Sequence, residues 1–341
     1  MKEKITKDDV MKKTAVVCLL ATICCTLWGS AFPAIKLGYQ YFAIGGNDSA
    51  TQILFAGCRF TLAGILSVIL GSLMSRKILV PKKTSYGKIL VLCMFQTVLQ
   101  YLFFYIGLAN TTGVKAAIIN GSNVFVAIII ACVFFRQEKL TMKKLIGCVL
   151  GFAGVVLINV TKSGIDMHMK LTGEGFILLC TVAYSLSSVI MKKYSKDENP
   201  VVLSGYQFVI GGLIMVVFGL LWGGKLTVIT GKGIGMLIYL AMVSAVAYSV
   251  WSILLKYNPV SKVAVFGFVN PISGVILSSI FLDEKGQSFG LKGVVALILV
   301  CIGIFVVNYQ KNVPTIENQA GLEKECDKKH EKRRNTEVLS D

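Results

Sequence analysis

The sequence has 341 residues, 55% of them hydrophobic, with a mean hydropathy of +0.70 and a formal net charge of +17. A soluble chain of this length could not bury that much apolar surface, because the surface-to-volume ratio limits the buried fraction. Charged residues are only 16% and cluster between apolar runs of roughly 18 to 25 residues, long enough to cross ~30 Å of hydrocarbon. This excludes a pair of soluble domains and predicts a polytopic membrane protein. The lysines and arginines fall in loops and tails and form no basic stripe interleaved with aromatics, so they are read as topology signals and no nucleic-acid partner is expected.

Ten membrane spans are predicted, at 14–36, 51–74, 87–109, 113–135, 143–160, 174–192, 200–223, 233–256, 260–282 and 289–308. The runs are too long and too uniformly apolar for barrel strands, which alternate, so the class is all-α. The first run follows Lys12 and Lys13 but is longer than a signal-peptide core and has no clear cleavage site, so it is read as a retained helix. It carries Trp28. Span two carries Arg59, about eight residues in and so ~12 Å deep. A cation at that depth costs ~2.5 kcal/mol or more unless paired or hydrated. It either binds an anionic group such as a solute carboxylate or bonds helix carbonyls in a tightly packed interface, as Gly57, Gly64 and Gly71 at heptad spacing suggest.

Span three has Gln96 and Gln100 four apart, and Tyr101 and Tyr105 four apart, each pair on one helix face. Asn120 and Asn123 share a face of span four. Span six has Tyr184, Ser187 and Ser188, and span eight has Tyr248, Trp251 and Ser252. In span nine Asn270 and Ser273 flank Pro271, which frees a backbone carbonyl in mid-membrane. Two readings apply to these groups: the lining of an aqueous cavity, or interhelical hydrogen bonds worth ~0.6 kcal/mol each. The clustering of amides in spans three, four and nine favours the cavity. Asn199-Pro200 and Asn258-Pro259 have the form of an N-cap followed by the first helical residue.

Placing both termini in the cytoplasm puts 26 Lys and Arg inside and 8 outside, with Arg59 the remaining one of 35. The tail from 309 to 341 is polar, basic and low in hydrophobicity, as expected of a disordered cytoplasmic segment. The ten cysteines include no CxxC pair, and the two histidines lie outside the spans, so no metal site and no cofactor are expected. Every Asp and Glu falls in a tail, a loop or a span end, Glu138, Glu174 and Glu284 among them. Without a buried carboxylate relay, exchange or movement down a gradient is expected rather than direct proton coupling.

The chain repeats itself weakly at a separation near 147 residues. Leu27-Trp28-Gly29-Ser30 matches Ala183-Tyr184-Ser185-Leu186, and the segment from Cys58-Arg59-Phe60 to Gly64 matches Tyr206-Gln207-Phe208 to Gly212. Lys115 to Glu138 matches Lys262 to Glu284, with Asn123 and Asn270 in register. Five spans per copy is odd, so the copies are predicted to be inverted, an arrangement suited to alternating access. The expected organisation is an N-tail at 1–13, a first repeat at 14–160, an outer linker at 161–173, a second repeat at 174–308 and the tail.

Trp28-Gly29-Ser30-Ala31-Phe32-Pro33-Ala34-Ile35-Lys36 resembles the opening signature of the EamA family of the drug/metabolite transporter superfamily. Arg59-Phe60 is similar to its second helix, and Phe134-Phe135-Arg136-Gln137-Glu138 and Phe281-Leu282-Asp283-Glu284 resemble its recurring glutamate at the ends of helices four and nine. The resemblance covers roughly residues 14–308. It implies a ten-helix fold and transport of small metabolites, amino acids or drugs, often outward. The second half departs from the pattern: it lacks Trp-Gly-Ser, has three extra residues before Asn308, and has Gln207 where the first half has Arg59.

The function expected is therefore a secondary transporter in the cell membrane, an exporter of a small polar or amphipathic solute. The binding set is Trp28, Arg59, Gln96, Gln100, Tyr101, Asn120, Asn123, Tyr184, Gln207, Tyr248, Trp251 and Asn270. The expected partners are that solute and the lipid bilayer, with a homodimer among the options. A polytopic membrane enzyme or a scaffold is the alternative. No catalytic His–carboxylate set or phosphate-binding loop supports an enzyme, no soluble domain supports a receptor, and no charged filter ring supports a channel.

Overall fold

A computed structural model describes residues 10–11, 13–135, 140–158, 160–161, 164–165, 170–195, 197–258, 263, 265–282 and 291–308. The tail at 309–341, the segments 136–139 and 283–290, and His168, Pro259 and Lys262 lie outside these residues, with most of the N-tail.

Helix α1 is Thr14–Tyr41 and contains Pro33; α2 is Ser49–Ser75. Helix α3 runs through Tyr86–Leu92, a π-helical stretch Cys93–Leu99, and Gln100–Ala109. Helix α4 comprises Gly113–Asn120, a turn at Gly121-Ser122, Asn123–Ile129, and π-helical Ile130–Phe134. Then come α5, Met142–Ile158; α6, Phe176–Tyr194, entered by π-helical Leu171–Gly175; α7, Pro200–Leu221; and α8, Gly231–Tyr257. Helix α9 is Val269–Phe281, preceded by a 3-10 turn at Val265–Phe268, and α10 is Leu291–Asn308. Between α5 and α6, Val160–Thr161 (β1) pairs antiparallel with Gly164–Ile165 (β2). This small ladder, absent from the all-α expectation, falls where β-branched residues meet in a connection.

Among the described residues, six helices are long and apolar enough to cross a membrane: Ala15–Tyr41, Ser49–Ser75, Lys83–Ala109, Leu171–Tyr194, Pro200–Leu221 and Gly231–Leu254. Val269–Phe281 and Leu291–Gly303 are shorter apolar helices. Large side chains such as Ile69, Leu73, Val217, Leu221 and Ile298 lie exposed on the outer surface. In water such a surface would aggregate; in lipid it is the expected exterior. The chain is a multi-pass membrane protein.

Local signals start several helices. Asp48 Oδ1 accepts from Thr51 N, Thr112 Oγ1 from Lys115 N, and Thr230 Oγ1 from Gly233 N. Asn199 Oδ1 accepts from Val201 N ahead of Pro200, as the sequence predicted. Asn258 closes α8, its side-chain amide donating to Leu254 O and Met11 O; the residues from Pro259 that it was expected to cap lie outside the described ones. Proline next in sequence holds it extended, φ −126° and ψ 154°, which ends a helix.

The most extensive packing is α2 on α7. Next come α5 on α10, α1 on α8 and α9, α2 on α8, and α3 and α4 on α6. The α2–α7 contact is backbone to backbone. A Cβ at Gly64 would lie 2.5 Å from Val209 N, and one at Gly212 2.3 Å from Thr61 N. Small residues at such crossings let helices approach closely where lipid offers no hydrophobic drive to associate.

Candidate functional site

A cavity lies among the helices, lined by Trp28, Ala31 and Phe32 of α1, Arg59 of α2, Gln100, Tyr101 and Phe104 of α3, Asn120 and Asn123 of α4, Cys180 and Tyr184 of α6, Tyr248 of α8 and Asn270 of α9. Its volume is about 60 Å³, room for about two waters at the ~30 Å³ each takes in the liquid. Nine of the twelve residues expected in a binding set meet here.

Arg59 is the dominant charge. It is 2% exposed, and its guanidinium donates from Nε to Leu240 O (3.1 Å), from Nη1 to Tyr105 Oη (2.8 Å) and from Nη2 to Ser244 Oγ (2.8 Å). The Phe60 ring lies 4.9 Å below it. All these partners are neutral, and among the described residues no carboxylate pairs with it. Arg59 therefore bonds a helix carbonyl, as one of the two readings expected, and it also lines the cavity. Three N–H groups are used and two remain of the five a guanidinium carries.

Around it lie aromatic and amide groups. Tyr101 Oη and Tyr248 Oη share a 2.6 Å hydrogen bond, and Gln100 Nε2 donates to Tyr248 Oη at 3.4 Å. Trp28 meets Tyr248 and Trp251 edge to face, each with centroids 5.1 Å apart. Three buried polar atoms of the lining have no hydrogen-bond partner among the described residues: Trp28 Nε1, Gln100 Oε1 and Asn270 Oδ1. Buried polar atoms are usually paired, so the lining leaves one donor and two acceptors without a partner among the described residues.

The asparagines arrive through a departure from the expected continuous span four. Helix α4 turns at Gly121-Ser122, where a Cβ on Gly121 would meet Pro271 of α9 at 3.2 Å. Glycine permits that approach, and the turn sets Asn120 and Asn123 on either side of it. Asn270, the residue before Pro271, faces the same space.

Three predicted residues lie elsewhere. Gln96 is 4% exposed and accepts from Gln207 Nε2 at 3.3 Å, while Gln207 Oε1 accepts from Thr97 Oγ1. Together they bond α3 to α7. The π-helical stretch Cys93–Leu99 is the reason: its wider turn moves Gln96 off the face it would share with Gln100 in a regular helix. Trp251 does not reach the cavity and backs Trp28. The serines also settle into packing: Ser187 and Ser188 donate to Tyr184 O, and Ser252 pairs with Ser204. Replacing Gln207 with Leu leaves Thr97 and Gln96 without a partner, at about 1–3 kcal/mol. Thermal unfolding should show that loss, with solute affinity unchanged.

Sequence reasoning missed Ala31, Phe32, Phe104 and Cys180 in the lining, and Ser244 and Leu240 as anchors of Arg59. Ser244 had a signal, standing four residues before Tyr248 on α8. Glu174 was expected at a span end. It is there, but only 7% exposed, accepting from Thr111 Oγ1 at 2.9 Å with Lys115 Nζ at 3.5 Å. Near the other end of α3, Lys88 Nζ meets Glu198 Oε1 at 3.0 Å. The Ser85 hydroxyl and the Lys88 ammonium beside Glu198 hold its carboxyl below the usual range. The Lys88–Glu198 pair thus ties α3 to the exit of α6, and the Lys115–Glu174 pair ties α4 to its approach.

Comparison with known proteins gives the class of this multi-pass helical protein with its buried polar cavity: it is a membrane transporter. The chain matches the EamA-like transporter family over residues 15–160 and 171–309, and it belongs to that family. An Archaeoglobus fulgidus protein named an uncharacterized transporter is 26% identical over 305 residues, covering 87% of this chain and 99% of its own. The Bacillus subtilis uncharacterized transporter YvbV is 28% identical over 302 residues, covering 87% and 93%. A chloroplastic WAT1-related protein of Arabidopsis thaliana is 25% identical, covering 83% and 67%. A solved crystal structure shares the fold with a TM-score of 0.62 at 17% identity, covering 86% of this chain and 96% of its own.

Proposed function

We propose that the protein is a secondary transporter in the cell membrane that exports a small zwitterionic or amphipathic solute of amino-acid type, bound in the central cavity. The observation that carries this reading is Arg59, buried in the cavity wall with only neutral partners among the described residues. A solute carboxylate supplies the missing counter-charge, taking the remaining guanidinium N–H groups and Trp28 Nε1. Gln100 Oε1 and Asn270 Oδ1 accept from the solute's amino group, and the Tyr and Trp rings receive its apolar part. Tyr101, Asn120, Asn123, Tyr184 and Tyr248 complete the site.

The cavity's 60 Å³ is below the ~300 Å³ at which small-molecule sites begin, so a solute enters by moving helices apart. Two inverted five-helix repeats, 14–160 and 174–308, ten spans with both termini cytoplasmic, provide that motion. Helix packing supports the exchange of halves. Adding five to each helix of the first half turns α1–α9 into α6–α4, α1–α8 into α6–α3 and α2–α8 into α7–α3, all of which pack, while α2–α7 and α5–α10 map onto themselves. Among the described residues no carboxylate lines the cavity, which supports exchange or downhill movement over direct proton coupling.

Counterflow in proteoliposomes tests the assignment. Vesicles loaded with a mixture of unlabelled amino acids should take up at least one labelled member saturably and transiently above equilibrium. Uptake linear in concentration means a channel, and no flux with chemical turnover means an enzyme; either outcome ends the carrier reading.

A further inference from the structure

A second recess, of about 400 Å³, lies between α1 and helices α8 and α9. Its α1 wall includes Leu27, Pro33 and Leu37, a face distinct from that of Trp28, Ala31 and Phe32. Met236 of α8 and Leu277 and Phe281 of α9 form the opposite walls. Nearby Ile23, Ile234, Ile238, Ile276 and Ile280 are each between 44% and 58% exposed. The recess is therefore cut into the surface that a multi-pass protein turns toward lipid.

We propose that this recess is a binding site for one phospholipid acyl chain. Its walls are almost wholly apolar, so water does not fill it, and a void of this size forfeits the dispersion contacts of every side chain around it. Hydrocarbon is the solvent at that depth. The α1 wall extends from Thr26 to Leu37, ~17 Å of helix at 1.5 Å per residue, close to the ~15 Å of a single leaflet. Two of the three hydroxyls in the lining are paired with each other, Tyr239 Oη bonding Ser30 Oγ at 2.6 Å and Ser30 Oγ donating to Leu27 O at 2.7 Å, and the third, on Thr26, stands exposed at the end of the α1 wall. The recess thus makes no demand for a headgroup and suits a chain lying along the helices. Pro33, which leaves the carbonyl of Gly29 without its usual helical donor, stands in this wall, so the seated chain packs against α1 at its weakest turn.

The test uses the full chain in bilayers containing a phospholipid with a diazirine in mid-chain, with adducts mapped by peptide mass spectrometry. Adducts should concentrate on Leu37, Met236 and Leu277, three-fold or more above the exposed face of α7 at Leu213 and Val217. Leu277→Trp should lower the recess adducts several-fold and leave those on α7 unchanged; Leu37→Trp, on the opposite wall, gives the same readout should the first variant fail to fold. Labelling spread evenly over α7 and the recess, adducts indifferent to both fillers, or cross-links from the recess to a second copy of the chain would overturn the proposal. The readout needs no solute, so it stands or falls apart from the transport assignment.

Discussion

Arg59→Gln should lower transport efficiency about 100-fold, equivalent to about 2.7 kcal/mol, with the protein still folded. The guanidinium contributes the one cation among the described residues of the cavity lining, and a charge-assisted hydrogen bond in such a site contributes about 1.5–3 kcal/mol. The Gln amide nitrogen falls where Nε sits and can keep the bond to Leu240 O, and the aromatic and glycine contacts around it are unchanged, so the helices should stay packed. Arg59→Lys should recover little, because a single ammonium cannot reach Leu240 O, Tyr105 Oη, Ser244 Oγ and a carboxylate together, whereas the planar fork does. Initial rates in proteoliposomes, normalised to monodisperse protein, supply the check. Wild-type rates in Arg59→Gln would reduce this arginine to a structural strut.

Gly64→Val should be the most damaging single change to stability. The added Cβ alone would meet Val209 N at 2.5 Å and Gly205 O at 2.6 Å. Those atoms are backbone in the middle of α7 and cannot swing away, so α2 and α7 must separate along the most extensive helix contact. Overpacking typically costs 1–3 kcal/mol, and a backbone-on-backbone clash falls at the upper end or beyond. Thermal unfolding of purified protein should show a drop of several degrees or a failure to yield monodisperse material. Gly87→Ala, where a Cβ meets nothing within 4 Å, is the control and should leave the midpoint unchanged.

Much of this was readable in the residues. Helices lie over the predicted apolar runs, because spanning lipid demands length and apolarity and leaves both visible in one sequence. The glycines of α2 announced a close crossing, and Arg59 announced itself by its cost. The site was legible where spacing follows a regular helix: Trp28, Tyr101, Asn123, Tyr184 and Tyr248 all reached the cavity. It was lost where the helix is irregular. The π-helical stretch before Gln100 moved Gln96 to α7, and the turn at Gly121-Ser122 broke a span that hydropathy renders continuous. Cys180 and Phe104 line the cavity without any marker in their neighbours, since a small or apolar side chain looks the same facing a cavity or a core. The buried state of Glu174 was likewise invisible, because its shielding comes from Thr111 and Lys115, some sixty residues away in sequence.

The most direct measurement is solute binding read by the tryptophans of the site. In a Trp222→Phe background the remaining emission comes from Trp28, in the cavity wall, and Trp251, packed against it. Titrating the purified protein with a solute that exchanges in counterflow should change that emission saturably, and Arg59→Gln should abolish the change at the same concentrations. An unchanged spectrum in the Arg59 protein, or an identical titration in the Gln variant, would contradict a carboxylate-bearing solute held at this arginine.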